Sequence, residues 1–259
     1  MIHYGTAFYL SFEKRQGIRV NNSFYEVSQP RGAGKILFDI IKFVGFIVLA
    51  SLPIIVLTTL MGYQDDLPNS MNYLLGIAYL VFVLALMWFL WNRYHTYAKD
   101  NIKSIKGRDV GFVLLFYFIG RIVAIGGTAL IQAIYGEEAT ANDQIINAMT
   151  DKSTFPLYLI GFVLSMGILI PIIEELTYRG IAVNLLFKKG RFWAPLIVTS
   201  LIFGSLHAST DIISFFIYVL MGAVFFLAYH RRRNIVDSIL VHVLNNIFGA
   251  ISILILYLT

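Results

Sequence analysis

Two adjacent glutamates and an arginine lie inside an apolar stretch, Pro171-Ile-Ile-Glu174-Glu175-Leu-Thr-Tyr178-Arg179. On a helix, Glu175 and Arg179 are four residues apart, which is the spacing of an ion pair. Neighbouring helical residues point about 100° apart, so Glu174 must face another direction. Two interpretations follow. Either all three side chains form one buried charge network that fixes helix packing, or Glu175 and Arg179 support a reactive Glu174.

Two later stretches each place two residues of interest one helical turn apart. The first holds Phe203 and His207, and the second holds His242 and Asn246. Alone, His207 is compatible with packing, and His242 with Asn246 is compatible with an interhelical polar clamp. Together with Glu174, however, they offer what peptide hydrolysis requires: a base for water, donors for the oxyanion and a proton for the leaving amine. The pattern therefore predicts one site built from these polar residues on three different helices.

A metal is the alternative chemistry for the same residues. Glu174, His207 and His242 form a known type of catalytic zinc set, but the chain has no His-Glu-x-x-His motif. If Glu174 were a ligand, the base would have to come from elsewhere, and if His242 were a ligand, one oxyanion donor would be lost. We therefore predict a site without metal or cofactor, and keep zinc as the alternative. The chain has no cysteine, which excludes thiol catalysis and iron–sulfur clusters.

The composition indicates the elements that must position these residues. The 259 residues are 58% hydrophobic and 14% charged, and the mean hydropathy is +0.74. A soluble domain is less apolar and more highly charged. Long apolar runs without strand-like alternation predict an all-α, polytopic membrane helix bundle. The seven candidate spans are Val44–Gly62, Met71–Trp91, Val110–Tyr135, Leu157–Tyr178, Ala194–His207, Ile212–Tyr229 and Ile235–Leu258. The fifth is short, so we expect it to extend beyond its apolar edge or to tilt.

Four regions follow from this pattern: an N-terminal cytoplasmic or interfacial segment, N-terminal membrane helices, an outer loop without assigned chemistry, and a catalytic C-terminal core. They comprise residues 1–35, 36–135, 136–156 and 157–259.

Basic residues predict the orientation of the chain. Of 20 lysines and arginines, 17 lie in the N-terminal tail with the entry to the first helix, which includes Lys42, and in alternate connections. The other connections carry Lys152 alone among acidic residues. By the positive-inside rule, the N-terminus is cytoplasmic and the C-terminus extracytoplasmic. The net charge of +5 thus reflects the basic residues that orient the chain in the membrane. Because these residues do not gather on one soluble face, we expect no nucleic-acid partner.

A few ionisable residues fall outside this pattern. Arg121 lies within the third span, where it could pair with a carboxylate, meet a lipid phosphate or line a cavity. Asp39, Lys42 and Asp237 lie near span edges, and we expect them to snorkel or to be solvated.

These motifs, in this order and in a membrane context, resemble the CPBP (CAAX-processing and bacteriocin-processing, or Abi) family of intramembrane proteases. The resemblance covers roughly Leu157–Ala250. It implies that Glu174 is the catalytic glutamate, that Glu175 and Arg179 are its supporting pair, and that His207 is the second catalytic residue. It further implies that His242 and Asn246 stabilise the oxyanion.

In this interpretation Tyr178 and Phe203 are supporting residues. The turn Arg231-Arg-Arg-Asn-Ile-Val-Asp237 departs from the small and aromatic residues usual in the family.

The predicted function is that of an intramembrane endopeptidase, with membrane-associated peptides or proteins as substrates and the lipid bilayer as its environment. The alternatives are a non-catalytic scaffold or bacteriocin-immunity protein, and a proton-coupled transporter. No paired, inverted halves typical of transporters are visible. No organelle-targeting signal is visible either, and we favour a bacterial plasma membrane.

Overall fold

The computed structural model describes residues 32–98, 102–148, 153–187 and 189–259. The chain divides into two units, Met1–Leu37 and Phe38–Thr259, and the candidate site lies in the second. Most of the N-terminal segment predicted from the sequence lies outside the described residues. So do several residues of the charge pattern, namely Lys14, Arg15, Arg19, Arg31, Lys99, Lys152 and Lys188.

Every regular element in the described ranges is a helix, as the apolar runs predict. In a bilayer, a helix satisfies its backbone hydrogen bonds internally, which favours this structure for long apolar segments. The helices are α1 (Ala33–Gly62), α2 (Asn69–Ala98), α3 (Gly107–Tyr135), α4 (Ala141–Ala148), α5 (Pro156–Leu186), α6 (Trp193–Ser205), α7 (Ile212–His230) and α8 (Ile235–Leu258). A short 3₁₀ turn, Gln64–Asp66, follows α1.

Six of these helices are long and apolar enough to cross a membrane, with 19 to 31 residues each. Their surfaces expose large apolar side chains such as Trp88 and Ile122, at 69% and 71% exposure, as expected of surfaces that face lipid. The protein is thus a multi-pass helical membrane protein. Helix α6 is shorter, with 13 residues. It ends at Ser205, so the predicted extension beyond its apolar edge is absent and His207 lies after the helix. The alternative expectation, that this helix tilts, stays a prediction.

Helix α5 continues past Tyr178, where the predicted span ends, and reaches Leu186. It contains two π-helical segments, Ser165–Leu169 and Leu176–Ala182, on either side of an α-helical turn. Wide turns of this kind occur frequently at functional sites. The paired glutamates end the intervening turn, and Arg179 lies in the second wide segment.

Glycines allow α6 and α7 to pack closely. A Cβ atom on Gly204 would lie 3.0 Å from the backbone nitrogen of Val219, and one on Gly222 would lie 3.1 Å from Cα of Ser200. Small residues at such crossings are typical of membrane helices. Helix α8 packs against α5, including its first π-helical segment. The four C-terminal helices thereby surround the predicted polar residues.

Asp211 caps the N-terminus of α7. Its carboxylate accepts hydrogen bonds from the backbone N–H groups of Ile213 and Ser214, both at 2.8 Å, and from the Ser214 hydroxyl. Burial alone would raise the pKa of Asp211, but these hydrogen bonds outweigh it and hold the pKa below its usual value. The cap fixes the start of the helix that packs against α6.

Candidate active site

A buried ion pair forms the base of the site. Nη1 of Arg179 donates to Oε1 of Glu175 at 3.1 Å, and both side chains are fully buried. Nη2 of Arg179 donates to the carbonyl oxygen of Gly222 at 2.7 Å, which ties α5 to α7. The guanidinium lies over the rings of Phe203 and Phe225, at 5.0 and 5.6 Å. The ion pair predicted from the i,i+4 spacing is therefore present.

His242 lies between the two glutamates. Its Nδ1 is 3.0 Å from Oε1 of Glu175, and its Nε2 is 3.7 Å from Oε2 of Glu174. The Glu175 carboxylate, paired with Arg179, accepts the hydrogen bond, so Nδ1 of His242 carries a proton. This hydrogen bond orients the ring and directs its other nitrogen towards Glu174.

Glu174 differs from its neighbour in its surroundings, as the helical geometry predicts. Its side chain keeps 19% exposure, whereas that of Glu175 has none. Glu174 therefore remains accessible to a small molecule, while Glu175 is committed to Arg179 and His242.

His207 lies beside an aromatic side chain of α6. Its Nδ1 is 2.7 Å from the carbonyl oxygen of Phe203, and the two rings are 4.5 Å apart. Because a carbonyl only accepts, Nδ1 donates, and in the neutral ring Nε2 keeps its lone pair. Glu174 and His242 both lie close enough to His207 to interact with it electrostatically.

Phe203 is the aromatic centre of the site. Its ring also contacts Tyr178 edge to face, with centroids 5.7 Å apart, and His242, also at 5.7 Å. Tyr178 in turn contacts Phe43 of α1. These contacts place both predicted supporting residues against the ionisable groups.

Asn246 has different partners. Its Nδ2 donates to the carbonyl oxygen of Met166 in the first π-helical segment, at 3.2 Å, and its Oδ1 accepts from Asn245. Among the described residues, no hydrogen bond joins Asn246 to Glu174 or to either histidine. The structure thus gathers the glutamate and the two histidines, and places Asn246 one turn further along α8.

Two aromatic residues of α7 were missed by the sequence reasoning. Tyr218 stacks on His207 with ring centroids 4.3 Å apart, and Phe225 stacks on His242 at 4.1 Å. With Gly222 they follow the spacing i, i+4, i+7, which places all three on one helix face. That periodicity was the signal in the sequence.

The loop between α3 and α5 also reaches this region. The Tyr218 hydroxyl hydrogen-bonds with Thr140 at 2.9 Å and lies 3.4 Å from Asp143, and both residues belong to the loop. The sequence reasoning assigned no chemistry to it, whereas the structure connects it to His207 through Tyr218.

The described residues contain no group of three His, Asp or Glu side chains placed to hold a metal ion. Within the site, Nδ1 of His242 is held by Glu175 and Nδ1 of His207 by a carbonyl. Nε2 of His242 faces Oε2 of Glu174 at 3.7 Å, and Nε2 of His207 has no hydrogen-bond partner among the described residues.

Two aspartates near the span edges are buried, whereas the sequence predicts that they are solvated or snorkel. Asp237 is buried, at 1% exposure, and pairs with Arg231 and Arg232, so it is neither solvated nor snorkelling. Asp39 is buried as well. Arg121 is half-buried and makes no hydrogen bond or ion pair with the residues that the structure describes.

Comparison with known proteins relates the C-terminal part of the chain to a peptidase family. Residues 156–248 match the family of type II CAAX prenyl endopeptidases, Rce1-like. The chain is 26% identical over 205 residues to "Putative membrane peptidase YdiL" of Bacillus subtilis, covering 73% of this chain and 78% of the relative. It is 27% identical over 212 residues to UPF0177 protein YvdC of Lactococcus lactis, covering 81% and 76%. No solved structure gives a significant match.

The comparisons support a relation to the CPBP family, and the family match lies within helices α5 to α8. The Rce1-like match supports a CAAX-type membrane peptidase at the level of the family.

Proposed function

We propose that the protein is an intramembrane endopeptidase in which Glu174 activates water to hydrolyse peptide bonds of membrane-associated peptides or proteins. The observation that carries this proposal is the position of Glu174, which is partly accessible and lies 3.7 Å from Nε2 of His242. The buried Glu175–Arg179 pair holds that histidine in place.

In the proposed step, Glu174 takes a proton from water as the water oxygen bonds to the peptide carbonyl carbon. The carbonyl π electrons move onto its oxygen, forming the oxyanion. Protonated Glu174 then gives its proton to the leaving amine as the C–N bond breaks. Nε2 of His207, with its lone pair free, orients the water.

Asn246 and His242 are the proposed oxyanion donors. The amide of Asn246 has a second hydrogen besides the one donated to Met166. His242 can donate from Nε2 only when both of its nitrogens are protonated, and the flanking Glu174 and Glu175 would then balance its charge. Removing one oxyanion donor costs about 10²–10³-fold in rate.

Water activation without a metal is part of the proposal. Purified protein would be dialysed against a strong chelator and then assayed with and without added zinc. We expect activity to persist after chelation. Stoichiometric metal in the protein, with activity that returns only on zinc addition, would favour the zinc alternative, in which Glu174, His207 and His242 are the candidate ligands, and the peptidase assignment would stand.

Substrate turnover tests the function itself. Wild-type protein, Glu174→Gln and the control Glu138→Gln would be expressed to equal membrane abundance, and new peptide termini quantified by mass spectrometry. Glu138 is exposed in the outer loop, so its variant matches the chemical change away from the site. We expect processing in the wild type and the control only. Equal processing in all three would favour a non-catalytic scaffold.

We also propose the orientation predicted from the sequence, in a bacterial plasma membrane. The basic residues of the connection before α3 and of the turn after α7 lie at the same end of the bundle, since Lys103 donates to the Arg232 carbonyl oxygen. A reporter fused after Thr259 tests this, because it should report an extracytoplasmic location.

A further inference from the structure

A second polar region lies away from the candidate active site, where α3 begins and where α7 turns into α8. It contains a cavity of about 650 Å³. Five of the lining residues are basic: Lys103, Lys106, Arg108, Arg231 and Arg232. The acidic lining residue is Asp109.

Two of these arginines are fixed by carboxylates. Arg232 pairs with Asp237 at 2.7 Å and with Asp109 at 3.0 Å. Arg231 pairs with the same two carboxylates, at 2.9 and 2.8 Å, and lies 4.4 Å over the ring of Phe112. Two aspartates therefore balance two arginines in the wall of the cavity.

The three remaining cations have no carboxylate to balance them among the described residues. Nζ of Lys103 donates to the carbonyl oxygen of Arg232. Lys106 and Arg108 are exposed, and neither side chain forms an ion pair or donates a hydrogen bond within the described part of the chain. The cavity also lies at the N-terminus of the 29-residue helix α3, which carries a partial positive charge. The cavity therefore favours an anion.

The position of the cavity indicates which anion. Three membrane-spanning helices meet there, because α3 and α8 begin and α7 ends beside it. Such a place lies at the level of lipid headgroups. Along α3 from this point, Val110, Leu114 and Phe118 are exposed on one face, at 47%, 43% and 58%. This face can receive acyl chains.

We propose that this cavity binds the phosphate of an anionic phospholipid, with the acyl chains lying along the exposed face of α3. A zwitterionic headgroup fits less well, since both nearby aspartates are already occupied by arginines and none remains for a cationic choline. The proposal does not depend on peptidase activity.

The test measures lipid binding to the full-length protein in detergent by native mass spectrometry. The probes are phosphatidylglycerol, phosphatidylcholine and inorganic phosphate. The variant Lys106→Gln/Arg108→Gln removes the two lining cations whose side chains have no partner among the described residues, without breaking the arginine–aspartate network. The control Lys189→Gln/Arg191→Gln makes the same charge change at exposed positions that do not line the cavity.

We expect the wild type and the control to bind phosphatidylglycerol in preference to phosphatidylcholine. The cavity variant should bind it roughly 30-fold more weakly, since each basic residue near an anionic surface contributes about a factor of five. Equal binding by the cavity variant and the control would overturn the site. If inorganic phosphate alone bound in a cavity-dependent way and phosphatidylglycerol did not, the lipid assignment would be wrong.

Discussion

Glu175 and Glu174 are adjacent, yet the structure predicts opposite consequences when each is changed to glutamine. In Glu175→Gln, Arg179 keeps its charge in a fully buried position without a balancing carboxylate. Removing one partner of a buried ion pair costs about 3–5 kcal/mol. A domain of 150–250 residues loses about 2–4 °C in Tm per kcal/mol, so we expect a fall of about 6–20 °C.

Glu174→Gln should behave differently. Glu174 keeps 19% exposure, and its contact with His242 is 3.7 Å long. A partly exposed pair of this kind contributes about 0–1 kcal/mol, so Tm should fall by less than about 4 °C. Activity should nevertheless be lost, because general-base catalysis contributes about 10²–10⁴-fold.

The assay is thermal unfolding of the purified variants in one detergent, followed by size-exclusion chromatography of the soluble fraction. A third variant, Glu175→Leu/Arg179→Met, replaces the whole pair with apolar side chains. It should be more stable than Glu175→Gln, since no buried charge is left unpaired. If Glu174→Gln were the least stable of the three, the division of roles between the glutamates would be wrong.

Three further predictions concern α6 and α7. Tyr218→Phe should retain most activity, because its ring can still stack on His207. Tyr218→Ala should lower the turnover rate by about tenfold or more, with little loss of abundance. Equal turnover rates for Tyr218→Ala and Tyr218→Phe would refute this positioning role. Gly204→Ala should destabilise the protein by about 1–3 kcal/mol, because the added Cβ would meet the backbone nitrogen of Val219. Thermal unfolding measures this, and an unchanged Tm would count against the close packing of α6 and α7. Asp211→Ala should cost about 1 kcal/mol at neutral pH through loss of the helix cap. The folded state lowers the pKa of Asp211, so the stabilisation by this carboxylate is present above the unfolded-state pKa and is lost as the pH falls through the folded-state pKa. The difference in unfolding free energy between wild type and Asp211→Ala should therefore shrink below about pH 4. A difference that stays constant with pH would contradict this.

The sequence predicted the helical architecture because lipid imposes strong constraints on composition. Long apolar runs and alternating basic connections located the spans, and the i,i+4 spacing located the Glu175–Arg179 pair. Helix ends were less predictable. Helix α5 continues to Leu186 through two π-helical segments, whose hydrogen-bond pattern leaves no periodic signal in the sequence.

Tertiary contacts account for the rest. The contact of His242 with both glutamates depends on how α8 packs on α5, which no local pattern encodes. For the same reason Asn246 was not predicted to donate to Met166, nor Asp237 to be buried against two arginines. Tyr218 shares a periodic helix face with Gly222 and Phe225, but this pattern does not indicate its partner His207, which lies after a different helix.

The central claim is that Glu174 activates water within the membrane. The most direct measurement is hydrolysis by purified protein in lipid vesicles of a peptide substrate found by comparing termini in cells. Wild-type protein and Glu138→Gln should cleave it at similar rates, and folded Glu174→Gln at least 10²-fold more slowly. Cleavage by folded Glu174→Gln at the wild-type rate would contradict the account.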